Sequence, residues 1–272
     1  MTNYDQLIGE IYSEMAKVSF NSLGMIDDQN IIHTFGTDSK IIGRLFEMFT
    51  EPILAKVAHK YSYELETPKA QTVYPDFTFI DPESPNKKIA IDVKTTYQKT
   101  QNSQIKFTLG SYGSYMRNNT KNIQYPYTDY IKHYVIGFVY MRNDRAQESS
   151  VFKYKDKDKI IVPYYGVKYF VQEKYKIAGE KPGSGNTENI GTFPTNNIKL
   201  LREGKGPFAE LGPEAFDLYW KYYPKYRSVG ESQYRTLQEF KNWLPNQKSL
   251  TPLYPIDLKK FIMSYANNYN EK

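Results

Sequence analysis

Cysteine is absent from the 272 residues, which excludes disulfides, thiolate nucleophiles and sulfur-ligated metals. Histidine is scarce. His33, His59 and His133 are the three in the chain and lie far apart in sequence, so neither a histidine metal site nor a histidine-activated nucleophile is indicated. The one glycine-rich stretch, 179–191, is not followed by Gly-Lys-Ser/Thr, which excludes a phosphate-binding nucleotide loop. Long apolar runs are missing too. The longest, Tyr134 to Tyr140, is too short to cross a bilayer. The opening MTNYDQLIGEIYSEM has no basic n-region and no apolar h-region, so no secretory signal is expected. The expected setting is cytoplasmic, without a membrane partner. No internal repeat and no low-complexity linker is found.

Hydrophobic residues make up 40% of the chain, enough for a real core in one large unit or two modest lobes. The net charge is +6 and the pI about 9.0. That balance is compatible with a polyanionic partner.

The most informative stretch is YPDFTFIDPESPNKKIAIDVKTTY, Tyr74 to Tyr97. Ile89, Ile91 and Val93 alternate with Ala90, Asp92 and Lys94, and this period of two with β-branched residues predicts a strand. On a strand, residues i and i+2 share a face, so Asp92 and Lys94 project side by side. Tyr74 to Ile80 also reads as a strand. DPESPNKK between them is a turn segment. The resulting antiparallel hairpin brings Asp76 near Asp92. Two carboxylates and a lysine in one cleft suit phosphodiester chemistry. The carboxylates are hard ligands for Mg²⁺, and the ammonium polarises a phosphate or orients the attacking water. The ordinary alternative is a solvated strand face with an ion pair.

Elsewhere, residues 4–17 read as an amphipathic helix, and Asn21 to Gly36 as short strands and turns. Asp38 or Ser39 is positioned to cap a long helix with an apolar stripe from Ile41 to Val57, kinked at Pro52. Strands are expected at Lys106–Leu109, His133–Tyr140 and Val167–Val171. The charged run 144–159 reads as a solvated loop. The stretch GEKPGSGNTENIG, Gly179 to Gly191, is a flexible surface loop or a base-reading one. Asparagine suits adenine N6 and N7, a threonine methyl suits the thymine methyl, and glycine allows close backbone approach. The C-terminal third is helical in pattern, ending in a helix marked by Leu258, Phe261, Ile262 and Tyr265. Arg227 and Arg235 are positively charged candidates for a DNA backbone there.

Longer segments carry a resemblance. PKAQTVYPDF, PNKKIAIDVKTTY, IKFTLGSYGSYMRNNTKNI, IAGEKPGSGNTENIG and EGKG are similar to type II restriction endonucleases of the EcoRV family, from about Gly36 to Gly206. The resemblance implies an α/β, restriction-endonuclease-like fold with a mixed central sheet flanked by helices. It implies a single chain unit, 1–272, with a DNA-binding and catalytic lobe in 36–142 and 162–272 and a dimerisation part near 19–35 and 144–161. Asp76, Asp92 and Lys94 become the catalytic set, with Glu47 a third carboxylate and Asp76, Asp92 and Glu47 the ligands of Mg²⁺. Gly183, Ser184, Gly185, Asn186, Thr187 and Asn189 become the base readers. Lys40, Gln71, Thr95, Thr96, Ser114, Asn119, Lys121 and Arg142 become contacts to the DNA backbone or minor groove. Ala70 and Glu188 depart from the family pattern.

The implied activity is Mg²⁺-dependent double-strand cleavage of a palindrome, GATATC cut at its centre to blunt ends. The implied agent is a homodimer, since a twofold site calls for a twofold protein, with a cognate DNA methyltransferase in the same cell. Two other functions share the chemistry. One is a sequence-specific DNA-binding protein that has lost catalysis, against which the intact Asp76, Asp92 and Lys94 set argues. The other is a repair nickase on the same fold, against which the match through the base-reading loop argues.

Overall fold

The structure is a computed structural model and describes residues 4–184, 188–225, 234–247 and 250. The proposed readers Gly185, Asn186 and Thr187, Arg227 and the expected last helix lie outside the described residues, as does the side chain of Ser184.

Five strands form the central sheet in the order β3 (Glu64–Glu66), β4 (Phe77–Ile80), β5 (Lys88–Gln98), β7 (Tyr130–Arg142) and β9 (Tyr164–Glu173). β4 pairs antiparallel with both β3 and β5, β5 runs parallel to β7, and β9 is antiparallel to β7. The sheet is therefore mixed, and the fold is α/β.

One face is covered by α1 (Tyr4–Met15) and α2 (Ser39–Lys60). Leu7, Ile11 and Met15 of α1 recur at helical spacing and are buried. On α2, Ile42, Phe46, Ile53, Leu54 and Val57 join them against Ile89, Ile91 and Val93 of β5. Phe46 stacks on Phe138 of β7 with ring centroids 4.5 Å apart. Each such side chain contributes about 1.5–3 kcal/mol on burial. Asp38 caps α2, accepting from the N–H groups of Lys40 and Ile41, which satisfies two of the helix's free donors. The helix runs unbroken across Pro52.

The opposite face carries the other half of the β5 alternation. Ala90 packs there with Val135, Phe170, Tyr112, Tyr115 and Trp220 in a second core. This core also takes in α5 (Pro213–Tyr222) and α6 (Leu237–Trp243), through Phe216, Leu218, Tyr219 and Phe240. Both faces of β5 are thus covered, and Asp92 is 3% exposed. The solvated-face reading does not hold at this position.

Two small sheets complete the frame. β1 (Met25–Ile26), β2 (Ile31–Phe35) and β8 (Glu148–Lys153) form one. The charged run 144–159, expected as a solvated loop, instead supplies β8 and a 3₁₀ turn at Tyr154–Lys159. The edge of β2 offers unpaired backbone groups, and residues 148–153 satisfy them while their charges stay in water, with Ile32 opposite Phe152 and His33 opposite Val151. The second small sheet joins β6 (Thr108–Ser111) to β10 (Ala178–Ser184) and β11 (Asn189–Thr192). The glycine-rich stretch is therefore a hairpin whose arms are strands. Several boundaries differ from the sequence reading; β7 and β9, for instance, each begin three residues earlier than expected. β6 lies two residues later than expected. β4 starts at Phe77 because the backbone of Tyr74 pairs instead with residues 122–124, its N–H donating to Asn122 and its carbonyl accepting from Gln124. Among the described residues no helix is long and apolar enough to cross a membrane.

Candidate active site

β4 and β5 pair with Phe77 opposite Ile91. One residue further along this register, Asp76 faces Asp92. The Asp76 carboxylate accepts the backbone N–H of Val93 at 2.7 Å. Lys94 Nζ lies 2.8 Å from Asp92 Oδ2 and 3.8 Å from Asp76 Oδ2, and donates to the Val93 carbonyl at 3.2 Å. The period-two pattern brought Asp92 and Lys94 to one face, and sheet pairing delivered Asp76 to them.

Electrostatics follow from this crowding. Burial, and then the Asp92 charge, raise the Asp76 pKa to about 7, with Lys94 acting in the opposite sense. For Lys94, burial disfavours the charged form, but Asp92 and Asp76 outweigh it and its pKa is raised. Lys94 is thus held as an ammonium. Asp92 Oδ2 is buried, with Lys94 at ion-pair distance and no partner of hydrogen-bond geometry. Two carboxylates around one ammonium leave an excess negative charge and an oxygen short of donors. That donor set fits a hard divalent cation such as Mg²⁺, which needs one or two carboxylates and completes its shell with water and phosphate oxygens.

Glu47 is placed differently. It lines a cleft of about 600 Å³ together with Lys40, Arg44, Lys69, Gln71 and Asp76. Its carboxylate is engaged by Arg44, Nη1 to Oε2 2.7 Å. Among the described residues no group of three or more acidic or histidine side chains is gathered as a metal site, so the structure brings Asp76 and Asp92 together and leaves Glu47 beside them. Arg44 was not singled out in the sequence; its position three residues before Glu47 on a helix is the signal that finds it.

A second cleft, about 240 Å³, joins Asp76, Asp92 and Lys94 to some of the residues expected to contact DNA. It is lined by Asp76, Asp92 and Lys94, by Gln71, by Ser111 and Ser114, and by Asn189 of the hairpin. Ser114 is buried and donates to the Lys121 carbonyl at 2.8 Å. Asn119 is tied to Thr128 through both ends of its amide. These two side chains brace the 114–128 loop, while Lys121 is exposed. Thr95 and Thr96 continue β5 beyond Lys94, both half-buried. Arg142, at the end of β7, lays its guanidinium 3.5 Å from the Tyr97 ring centroid. Gly183 and Ser184 lie on β10, and Asn189 pairs with Ser111 of β6. Glu188 has a positive φ of 49°, and its carbonyl accepts from the Tyr112 N–H at 2.9 Å, which anchors the hairpin next to the cleft.

The chain resembles known nucleases along most of its length. A family profile described as restriction endonuclease EcoRV matches residues 16–245, extending the similarity on both sides of Gly36 to Gly206. The type II restriction enzyme EcoRV of Escherichia coli is 43% identical over 245 residues, covering 90% of this chain and 98% of that one. Among solved structures, the NlaIV restriction endonuclease aligns with a TM-score of 0.37 at 10% identity, covering 100% of this chain and 91% of that one.

Proposed function

This chain belongs to the EcoRV family of restriction endonucleases, and on that premise we propose that it cuts double-stranded DNA at GATATC, between the central T and A, leaving blunt ends. It is a type II restriction endonuclease; the metal, the target and the assembly are the parts proposed here. The observation that carries the reading is the convergence of Asp76, Asp92 and Lys94 in one cleft with Asn189 of the glycine-rich hairpin. A base-reading element and a hydrolytic trio sharing a cleft is what site-specific cleavage requires.

In this reading Asp76 and Asp92 hold Mg²⁺, with Glu47 available from the neighbouring cleft. Held there, the ion would supply charge stabilisation at the phosphate and would make water more acidic. The protein's own part is positioning. The Val93 N–H fixes the Asp76 carboxylate beside Asp92 and Lys94. Lys94, kept charged by the two carboxylates, orients the attacking water and stabilises negative charge on the phosphoryl oxygens. It does not act as a base. Water adds to phosphorus as the P–O3′ bond breaks, and the proton given up by the water is matched by the one taken up at O3′, leaving a 5′-phosphate and a 3′-hydroxyl. Lys40, Gln71, Lys121 and Arg142 supply backbone or minor-groove contacts, which set register without reading sequence. The hairpin residues Gly183 to Thr187 and Asn189 read base edges. The central TA step is a flexible pyrimidine–purine step that is read by its ease of kinking.

A twofold target calls for a homodimer. The small sheet of β1, β2 and β8 supports this, because it exposes Met25, Ile26 and Val151, each more than half accessible, from the two segments 19–35 and 144–161 assigned to dimerisation. Such an enzyme works in the cytoplasm beside a methyltransferase that protects the same site.

Digestion of a plasmid with Mg²⁺, followed by sequencing of the ends, tests the whole reading. Discrete linear fragments with blunt ends at GATATC are expected. Nicked circles or staggered ends at another sequence would overturn it.

A further inference from the structure

Lys174 opens α3 (Lys174–Ile177), a single turn between β9 and the outgoing arm of the hairpin, β10. It is 1% exposed. Its ammonium lies 3.8 Å from the centroid of the Tyr74 ring and donates to the Tyr115 hydroxyl at 3.3 Å. No carboxylate stands within ion-pair distance of it among the described residues. Burial lowers its pKa to about 7, with Asp92 the strongest charge acting in the opposite sense. A lysine held this way is unfavourable unless its contacts are used. A methionine of similar length would fill the space without desolvating a charge.

Its two partners lead to the two halves of the active cleft. Tyr74 precedes Asp76 by two residues and stacks on Tyr115 with centroids 4.5 Å apart. The Tyr115 hydroxyl sits against Gly110 so closely that a Cβ there would lie 1.9 Å from it. Gly110 itself has φ +95°, so glycine alone allows this seat. The next residue, Ser111, pairs with Asn189 at the start of the hairpin's return arm. Lys174 therefore touches the ring that leads into Asp76 and the hydroxyl that seats the edge strand under the hairpin. It is also joined through one helical turn to the other hairpin arm.

We propose that Lys174 is a positioning residue that couples the seating of the base-reading hairpin to the placement of Asp76, so that fast cutting depends on a correctly docked hairpin. The inference rests on the nuclease reading and deepens it. It places the coupling in the Lys174, Tyr115 and Tyr74 contacts: the two tyrosines stand in the wall of the cleft, and Lys174 is buried against them.

The test compares native protein, Lys174→Met and Tyr115→Phe on two duplexes with Mg²⁺. One carries the sequence the native protein cuts, the other the same sequence with one outer base pair changed. For Lys174→Met we expect kcat on the target to fall at least tenfold with KM within threefold of native, while the slow rate on the altered duplex stays within threefold. The ratio of target to altered-site cleavage then collapses. Tyr115→Phe keeps the ring stack and removes only the hydroxyl, so it should lower the same ratio at least threefold, and it decides the matter if Lys174→Met does not fold. A proportional loss on both duplexes would mean a merely structural residue and would overturn the inference. Unchanged ratios in the folded variants, with a native chain that cuts, overturn this inference alone. A native chain that cuts neither duplex overturns the nuclease reading and this inference with it.

Discussion

The Asp76 carboxylate is tied to the backbone of Val93 by a 2.7 Å hydrogen bond, and the residues on either side of Val93 are Asp92 and Lys94. One backbone N–H of β5 thus fixes the acid that precedes β4 beside those two side chains. The trio is held by sheet pairing, so a substitution in one member leaves the others in place.

Asp92→Ala is accordingly expected to abolish cleavage while DNA binding persists. Loss of a metal-holding carboxylate removes about 4 kcal/mol or more of transition-state stabilisation, roughly a thousandfold in rate. Non-specific affinity comes from cations elsewhere. Cleavage assays and gel-shift titrations measure the two separately, and a variant cutting within tenfold of native would remove Asp92 from the mechanism.

Lys94→Ala should be nearly inactive yet folded. Its side chain faces Asp92 and Asp76 and belongs to neither apolar cluster, so its loss leaves no hole in either core. Circular dichroism and a melting curve check this. A fall in Tm comparable to that of Phe46→Ala, whose deletion from the core costs about 3–5 kcal/mol, would assign the lysine a structural role.

His133 takes stability away in mild acid, against the raised pKa of Asp76, which acts in the opposite sense over the same range. Its Nδ1 is 2.8 Å from the Tyr74 hydroxyl, and burial, then Lys174, push its pKa well below the ordinary 6.5. The unfolded chain therefore takes up a proton near pH 6.5 that the folded chain refuses. The contribution is complete above pH 6.5 and is lost as pH falls below it, by up to about 1.4 kcal/mol per pH unit. His133→Gln should show a shallower loss of stability than native between pH 7 and pH 5 in denaturant titrations. Parallel curves would show that the histidine carries no such burden.

Asn186→Ala should lose site-specific cutting by about 1–3 kcal/mol or more per half-site, with weak non-specific binding retained. Competition between target and altered duplexes measures it. Equal loss on both would move Asn186 from base reading to a general role.

The sequence by itself determined the local periodicities and the chemistry they carry. Alternation placed Asp92 and Lys94 on one face, the Asp38 cap and apolar stripe specified α2, and the segments around Asp76 and the glycine-rich hairpin specified the family. These features depend on residues a few positions apart, whose geometry the backbone sets. What only the tertiary structure decided depends on contacts outside any periodic window, most of them between elements distant in the chain. The second core covers Asp92 because β5 is sandwiched between β4 and β7 and packed on both faces. Residues 148–153 became a strand because β2 had an edge to satisfy. Ser114 and Asn119 turned inward to brace a loop because Lys121 and Thr128 came within reach. Lys174 looks in sequence like any surface lysine of a charged stretch, and it is buried because a single turn of helix carries it under Tyr74 and Tyr115. Burial is a property of non-local packing, which the order of residues along a short window does not contain.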